Sequence, residues 1–195
     1  GGTAEGGVLN RSLARLAEEL GLGLGLGSQR AMVEDGSLEE SYQVRGVAPS
    51  ILLLGNIGLV QAQRLSDGEI REMVDRVGAD GLCVHLNPAQ ELVQPEGDRD
   101  FRGALETLAR VSSLLPGRVM VKETGCGIAR ETARLIQQCG VEWVDVAGAG
   151  GTSWVEVERR RALPNDDQAS LGALLANWGL QIGRASCRER VCHRV

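Results

Sequence analysis

The densest chemistry in the chain lies in seven consecutive residues, His85-Leu86-Asn87-Pro88-Ala89-Gln90-Glu91. One imidazole, two carboxamides and one carboxylate crowd a segment that follows an apolar run. The imidazole and carboxamides can orient a polar head group by hydrogen bonding. The carboxylate suits a hard divalent cation such as Mg²⁺, whose shell phosphate oxygens and water commonly complete. His85 and Asn87 are two apart, so both are expected on one face of a strand. Gln90 and Glu91 are expected on the loop that follows. A His with three polar neighbours at a strand end signals a site, whereas an isolated His is more often structural.

Three further segments carry chemistry. Lys122 is the only Lys in a chain whose other basic residues are all Arg, and it ends the apolar run 119–121. Lys and Arg differ in shape and donor geometry, so a lone ammonium there reads as a requirement of the site. The Gly-rich loop 147–154 (AGAGGTSW) follows a second apolar run. Its backbone amides at Gly148, Gly150 and Gly151, with the Thr152 hydroxyl, could cradle a phosphate or the edge of a cofactor ring. Ser28-Gln29-Arg30 places a guanidinium fork after a Gly-rich run, a bidentate clamp for phosphate or diphosphate. Cys126 sits in a Gly-rich turn and could act as a nucleophile, but no base lies nearby in sequence. The five Cys match no zinc spacing, and their odd number argues against a disulfide framework.

The elements that position these groups alternate. Val8, Leu9, Leu13, Leu16 and Leu20 repeat at helical spacing. Residues 21–28 (GLGLGLGS) read as a thin strand. A helix is expected from Ser37, where Ser37 and Glu40 form a capping box, and another from Ser66, boxed by Glu69. Strands are expected at 51–54 ending at Asn56, at 82–86 ending at Asn87, at 119–121 ending at Lys122, and at 143–147. Helical patterns lie between them, marked by Leu105, Leu108 and Val111 and by Leu135 and Ile136. The polar strand ends Ser28, Asn56, Asn87, Lys122 and Gly148 stand 28, 31, 35 and 26 residues apart. A repeat of a strand then a helix at this period means parallel strands with helical crossovers. An open doubly wound sheet gathers its site at one switch point, whereas a (β/α)8 barrel collects a residue from every strand end. The polar residue at each strand end favours the barrel. Five strands against the barrel's eight imply a partial barrel over 1–182, truncated at both ends.

Composition bounds the partners. The chain has 195 residues and a net charge of −5, which disfavours nucleic acid. No apolar run reaches the ~20 residues of a membrane helix, and no signal peptide is visible; the expected compartment is the cytoplasm. Residues 183–195 (GRASCRERVCHRV) hold four Arg against one Glu and two of the five Cys, with no structural period. They read as a non-native tail.

Taken together, these segments resemble type 2 isopentenyl-diphosphate δ-isomerases. The resemblance rests on Gly1-Gly2-Thr3, 25–32 (GLGSQRAM), Gly55-Asn56, 85–91 (HLNPAQE), 121–127 (VKETGCG), 145–154 (DVAGAGGTSW) and Asn177-Trp178-Gly179. Their order and spacing agree over about 180 residues. The HLNxxQE stretch is specific to that family; the VKE and AGxGGT stretches are shared with other FMN barrels such as glutamate synthase. The resemblance implies an FMN-dependent TIM barrel and a soluble homo-oligomer, tetramer or octamer. It implies interconversion of isopentenyl and dimethylallyl diphosphate in isoprenoid biosynthesis, with reduced FMN, NADPH as reductant and Mg²⁺. It assigns Thr3, Ser28, Asn56, Lys122 and Thr152 to FMN, Arg30, His85, Asn87 and Gln90 to substrate, and Glu91 to Mg²⁺. Gln90 does not titrate near neutral pH, so it suits positioning or proton relay better than base catalysis. Trp154 would shelter a cationic transition state with its π face. Another FMN barrel, such as a hydroxy-acid oxidase, and a non-catalytic nucleotide-binding fragment are the alternatives. HLNxxQE speaks against the first.

Overall fold

Short apolar runs separated by capped helices produce a single layered sheet. The computed structural model describes residues 2–162 and 167–181. In chain order it contains α1 (Ala4–Leu20), β1 (Leu24–Gly25), α2 (Arg30–Glu34), β2 (Leu53–Gly58), α3 (Leu59–Arg64), α4 (Asp67–Arg76), β3 (Gly81–His85), α5 (Pro88–Val93), α6 (Ala104–Leu114), β4 (Val119–Lys122), α7 (Arg130–Gln138), β5 (Trp143–Asp145), α8 (Trp154–Arg161) and α9 (Asp167–Leu175). The tail expected at 183–195 lies outside the described residues.

All five strands are parallel and lie side by side in sequence order. An order without reversal has no switch point, so the doubly wound alternative fails and the sheet is a half-barrel. The register aligns Gly58, His85, Lys122 and Asp145 in one row across the C-terminal strand ends. The core lies between sheet and helices. Leu53, Ile57, Leu82, Val84 and Val121 from the strands meet Ile70, Met73, Val74, Leu108, Val111 and Ile136 from the helices. A smaller cluster of Ala89, Val93 and Val155, with Leu171 and Leu175 against it, packs α5 onto α8 and α9. That second cluster sets where α5 presents its polar face.

Several expectations change. The helix expected from Ser37 is a 3-10 helix, Gly36–Tyr42. Its cap is Asp35, whose carboxylate accepts from both the Ser37 N–H and the Ser37 hydroxyl, so Ser37 lies within the first turn and is not the N-cap. Strand β2 runs through Asn56 to Gly58 instead of ending at Asn56. Strand β3 stops at His85, and Asn87 stands outside it in the left-handed region, φ 31 and ψ 45. Pro88 occupies the first helical turn, where its fixed φ and missing N–H start a helix at no cost. Gln90 and Glu91 therefore sit on helix α5 and not on a loop. The expected strand at 21–28 shrinks to Leu24–Gly25, and that at 143–147 ends at Asp145. The Ser66–Glu69 capping box forms as expected.

Helix α1 inverts its own pattern. Its buried face is made of Gly7, Ala14 and Ala17, while Leu9, Leu13, Leu16 and Leu20 are 45–61% exposed. Small residues permit close approach to the layer beneath, where Gly7 already lies against the Ser41 backbone. The leucine stripe faces away from the half-barrel.

Candidate functional site

The C-terminal strand ends open into a cavity of about 600 Å³. Ser28, Arg30, Asn56, His85, Asn87, Gln90, Glu91 and Lys122 all line it. These come from the ends of the first four strands and from the helices that follow the first and the third, so four of the five polar strand ends marked in the sequence converge. An adjoining cavity of about 460 Å³ shares Asn87, Gln90 and Thr124 with the first and is lined by Gly150, Gly151, Thr152 and Trp154. Gly148 lines neither cavity; it packs beside Gly127. Thr3 also lies outside both. Its hydroxyl oxygen caps α1 by accepting from the Gly6 N–H at 3.0 Å.

Asn87 organises the cluster around it. A left-handed backbone is tolerated by Asn better than by most residues, and Asn87 is nearly buried at 8% exposure. From there its amide donates to Glu91 Oε1 at 3.2 Å and reaches Gln90 Oε1 at 3.5 Å. The second Glu91 oxygen accepts the Asp98 N–H at 2.8 Å. Gly97 permits this, because a side chain there would collide with the Glu91 backbone. Asp98 is anchored in turn by Gln61 at 2.5 Å and Arg64 at 2.6 Å. Glu91 is thus held by two neutral donors and makes no ion pair among the described residues. Among those residues no three His, Cys, Asp or Glu side chains gather to hold a metal alone. Glu91 would supply one carboxylate, and the rest of a Mg²⁺ shell must come from ligand oxygens and water.

Lys122 is half-buried and donates to the Glu123 carbonyl at 2.8 Å. It faces no carboxylate within ion-pair distance among the described residues, so its charge is also uncompensated. Burial pushes the His85 imidazole down to about 4, and the nearby Lys122 charge adds to this. His85 is therefore neutral at physiological pH, and its Nδ1 lies 2.8 Å from Asn56 Oδ1. Arg30 is less free than the sequence suggested, since its Nε bonds Glu34 at 2.8 Å across one helical turn. Burial, with help from the Glu123 charge, pushes the Cys126 thiol up to about 11. A thiol held protonated is a poor nucleophile, so the nucleophile reading of Cys126 loses its support.

Three buried groups escaped the sequence reading. Glu123, 3% exposed, folds back to accept the Thr124 and Cys126 N–H groups at 2.7 and 2.8 Å, fixing the turn after β4. Glu158 on α8, 7% exposed, accepts from Gln94 Nε2 at 3.0 Å and lies 3.5 Å from Gln90 Nε2. Arg161 balances its charge at 3.4 Å. Gln29 is fully buried. Nothing in the local pattern marks Glu158 or Gln29, because Gln90 and Gln94, and the Asn56 and Met73 main chain, lie on distant segments.

A parallel β/α half-barrel whose mouth gathers polar strand ends, among them an ammonium and a carboxylate that make no ion pair among the described residues, defines a class: an α/β scaffold of the partial TIM-barrel kind with a polar cavity at its C-terminal strand ends. Known proteins narrow this. The chain is 50% identical to the isopentenyl-diphosphate delta-isomerase of Mycolicibacterium gilvum (strain PYR-GCK) over 190 residues, covering 97% of this chain and 54% of that protein. It is 43% identical to the enzyme of the same name from Methanosarcina barkeri (strain Fusaro / DSM 804), covering 98% and 53%. It is 42% identical to that from Pyrococcus abyssi (strain GE5 / Orsay), covering 93% and 51%. The chain therefore spans about half the length of the curated relatives it matches. No family model matches it.

Proposed function

We propose that the chain forms part of a type 2 isopentenyl-diphosphate δ-isomerase, which interconverts isopentenyl and dimethylallyl diphosphate using reduced FMN, NADPH and Mg²⁺. The observation that carries this reading is the convergence of Lys122, His85, Asn56 and the Asn87–Gln90–Glu91 cluster on one mouth, in a chain 42–50% identical to enzymes named for that reaction.

The reaction moves a double bond by one carbon, so one carbon gains a proton and another loses one, with no net oxidation. The reduced flavin would supply the acid/base chemistry. Residues of the chain would do the rest. Lys122, in no ion pair among the described residues, would hold an anionic ring edge in a partly desolvated site, where a fixed charge counts for more than in water. Ser28 and Asn56 line the same cavity and would complete the cofactor's hydrogen bonds there. Thr152 and the amides of Gly150 and Gly151 would meet it from the adjoining cavity. Glu91 would take Mg²⁺ and with it the substrate diphosphate, helped by the free face of the Arg30 fork. Gln90 lines both cavities, and its carboxamide would position the reacting carbons or relay a proton. Trp154 lines the neighbouring cavity and is 47% exposed. Its π face would stabilise a transient carbocation.

The test uses the polypeptide extended to the length of its relatives, reduced anaerobically with FMN and Mg²⁺ present. Carbon-13-labelled isopentenyl diphosphate should yield dimethylallyl diphosphate in the NMR spectrum, and oxidised flavin should abolish the conversion. A flavin-loaded protein that leaves the label in place under reducing conditions would exclude this function.

A further inference from the structure

Gln29 is enclosed completely, with no exposed surface. A buried carboxamide needs partners for its carbonyl and both its N–H groups. Its Oε1 accepts the Asn56 N–H at 2.9 Å and its Nε2 donates to the Met73 carbonyl at 3.0 Å. The Gln29 main chain adds a third link, its N–H donating to the Asn56 carbonyl at 2.8 Å. Gln29 thus holds both backbone polar groups of Asn56 and ties that residue to helix α4. The amide cannot be turned round, because its oxygen faces a donor and its nitrogen faces an acceptor. The space is specified as well. A methyl group on Gly55 would stand 2.6 Å from the Gln29 oxygen, far inside van der Waals contact.

Asn56 passes this placement on. Its side-chain oxygen stands 2.8 Å from His85 Nδ1, so Nδ1 carries the hydrogen and Nε2 keeps its lone pair. We propose that Gln29 is a positioning residue: it fixes the Asn56 backbone so that the Asn56 carboxamide locks one tautomer of His85 at the mouth of the site. The ring then offers an acceptor at Nε2, and the ligand group it meets there carries a proton. This deepens the isomerase reading, in which His85 touches substrate, but its test does not depend on turnover.

The chain has two histidines, His85 and His193, so imidazole nitrogen-15 spectra of the whole 195-residue protein contain two rings. In the parent, His85 should show one tautomer, hydrogen on Nδ1. In Gln29→Met, similar in size but unable to hold Asn56, the His85 signals should move toward a mixture of both tautomers. In Gln29→Glu the acid, kept protonated by its complete burial, can still accept the Asn56 N–H and donate its O–H to the Met73 carbonyl, and the parent tautomer should return. Gly55→Ala, a smaller change that expels the Gln29 oxygen, should reproduce the mixture if Gln29→Met does not fold. A parent spectrum with the hydrogen on Nε2, or an unchanged His85 spectrum in folded Gln29→Met or Gly55→Ala, overturns the proposal. In the polypeptide extended to the length of its relatives, loss of isomerase activity in every variant with unchanged His85 spectra would do the same, while absence of activity in that extended parent would count only against the function.

Discussion

At Glu91 the balance of partners decides the chemistry. Two neutral donors, the Asn87 amide and the Asp98 N–H, hold the carboxylate still without neutralising it. A fixed, uncompensated carboxylate is what a hard cation needs. Glu91→Gln keeps the shape and removes the charge. We expect roughly a tenfold or larger rise in the Mg²⁺ concentration for half-maximal turnover of the full-length enzyme, the loss of about one charge-assisted contact. Flavin affinity should stay at the parent value, because Lys122 and Asn56 are untouched. Mg²⁺ titration of activity beside a fluorescence titration of FMN checks both halves. Coincident Mg²⁺ curves would assign Glu91 to structure alone. The polar residues of HLNPAQE do meet in one cavity, yet partly by a route the sequence pattern does not give. His85 and Asn87 do share a cavity, but Asn87 reaches it from a left-handed helix cap and not along a strand. A period-2 argument could not foresee that Pro88 would begin a helix one residue after Asn87.

Elements follow their local signals where those signals are self-contained. Helix α4 is the clearest: the Ser66 hydroxyl accepts the Glu69 N–H at 3.3 Å, and the Glu69 carboxylate accepts the Ser66 N–H at 2.7 Å. Both partners lie within one turn, so sequence spacing suffices to announce them. Ser66→Ala should lower stability by about 1 kcal/mol, seen as a lower urea midpoint with an unchanged slope. An unaltered midpoint would mean that the packing of Ile70, Met73 and Val74 alone holds the helix start. The helix expected from Ser37 shows the opposite case. The Ser-to-Glu spacing was present there too, but Asp35 competes for the Ser37 donors and tightens the segment into a 3-10 turn. Glu158 and Gln29 belong to neither case, since Glu158 meets the side chains of Gln90 and Gln94, 68 and 64 residues away, and the Gln29 carboxamide meets main-chain groups of Asn56 and Met73, 27 and 44 residues away.

On the scale of the whole molecule, the half-barrel leaves a broad apolar surface. Leu9, Leu13, Leu16 and Leu20 form one exposed stripe along α1, while Gly7, Ala14 and Ala17 face inward. Strands β1 and β5 each pair with one neighbour among the described residues. Apolar stripes and unpaired strand edges both drive association. Replacing Leu13 and Leu16 by Gln should therefore reduce self-association of the 195-residue chain and leave its circular dichroism unchanged, since neither side chain belongs to the core. Light scattering after size exclusion measures the first effect. Equal scattering mass for both proteins would locate association elsewhere, at the strand edges.

The amino-acid sequence by itself determined the repeating unit, the parallel sense of the strands, the Ser66 cap and the residue types of the mouth. Each of these depends on spacing within a turn, a strand or one β/α unit, and short-range geometry is written directly in residue order. Only the tertiary structure decided which way helix α1 turns its leucines, that Asn87 leaves the strand, and that Gln29 and Glu158 stand behind His85 and Gln90. It also set the row Gly58–His85–Lys122–Asp145, because register between strands depends on how the helices between them pack. A buried polar group is specified by its partners, and partners brought together by folding from far along the chain leave no periodic trace in it.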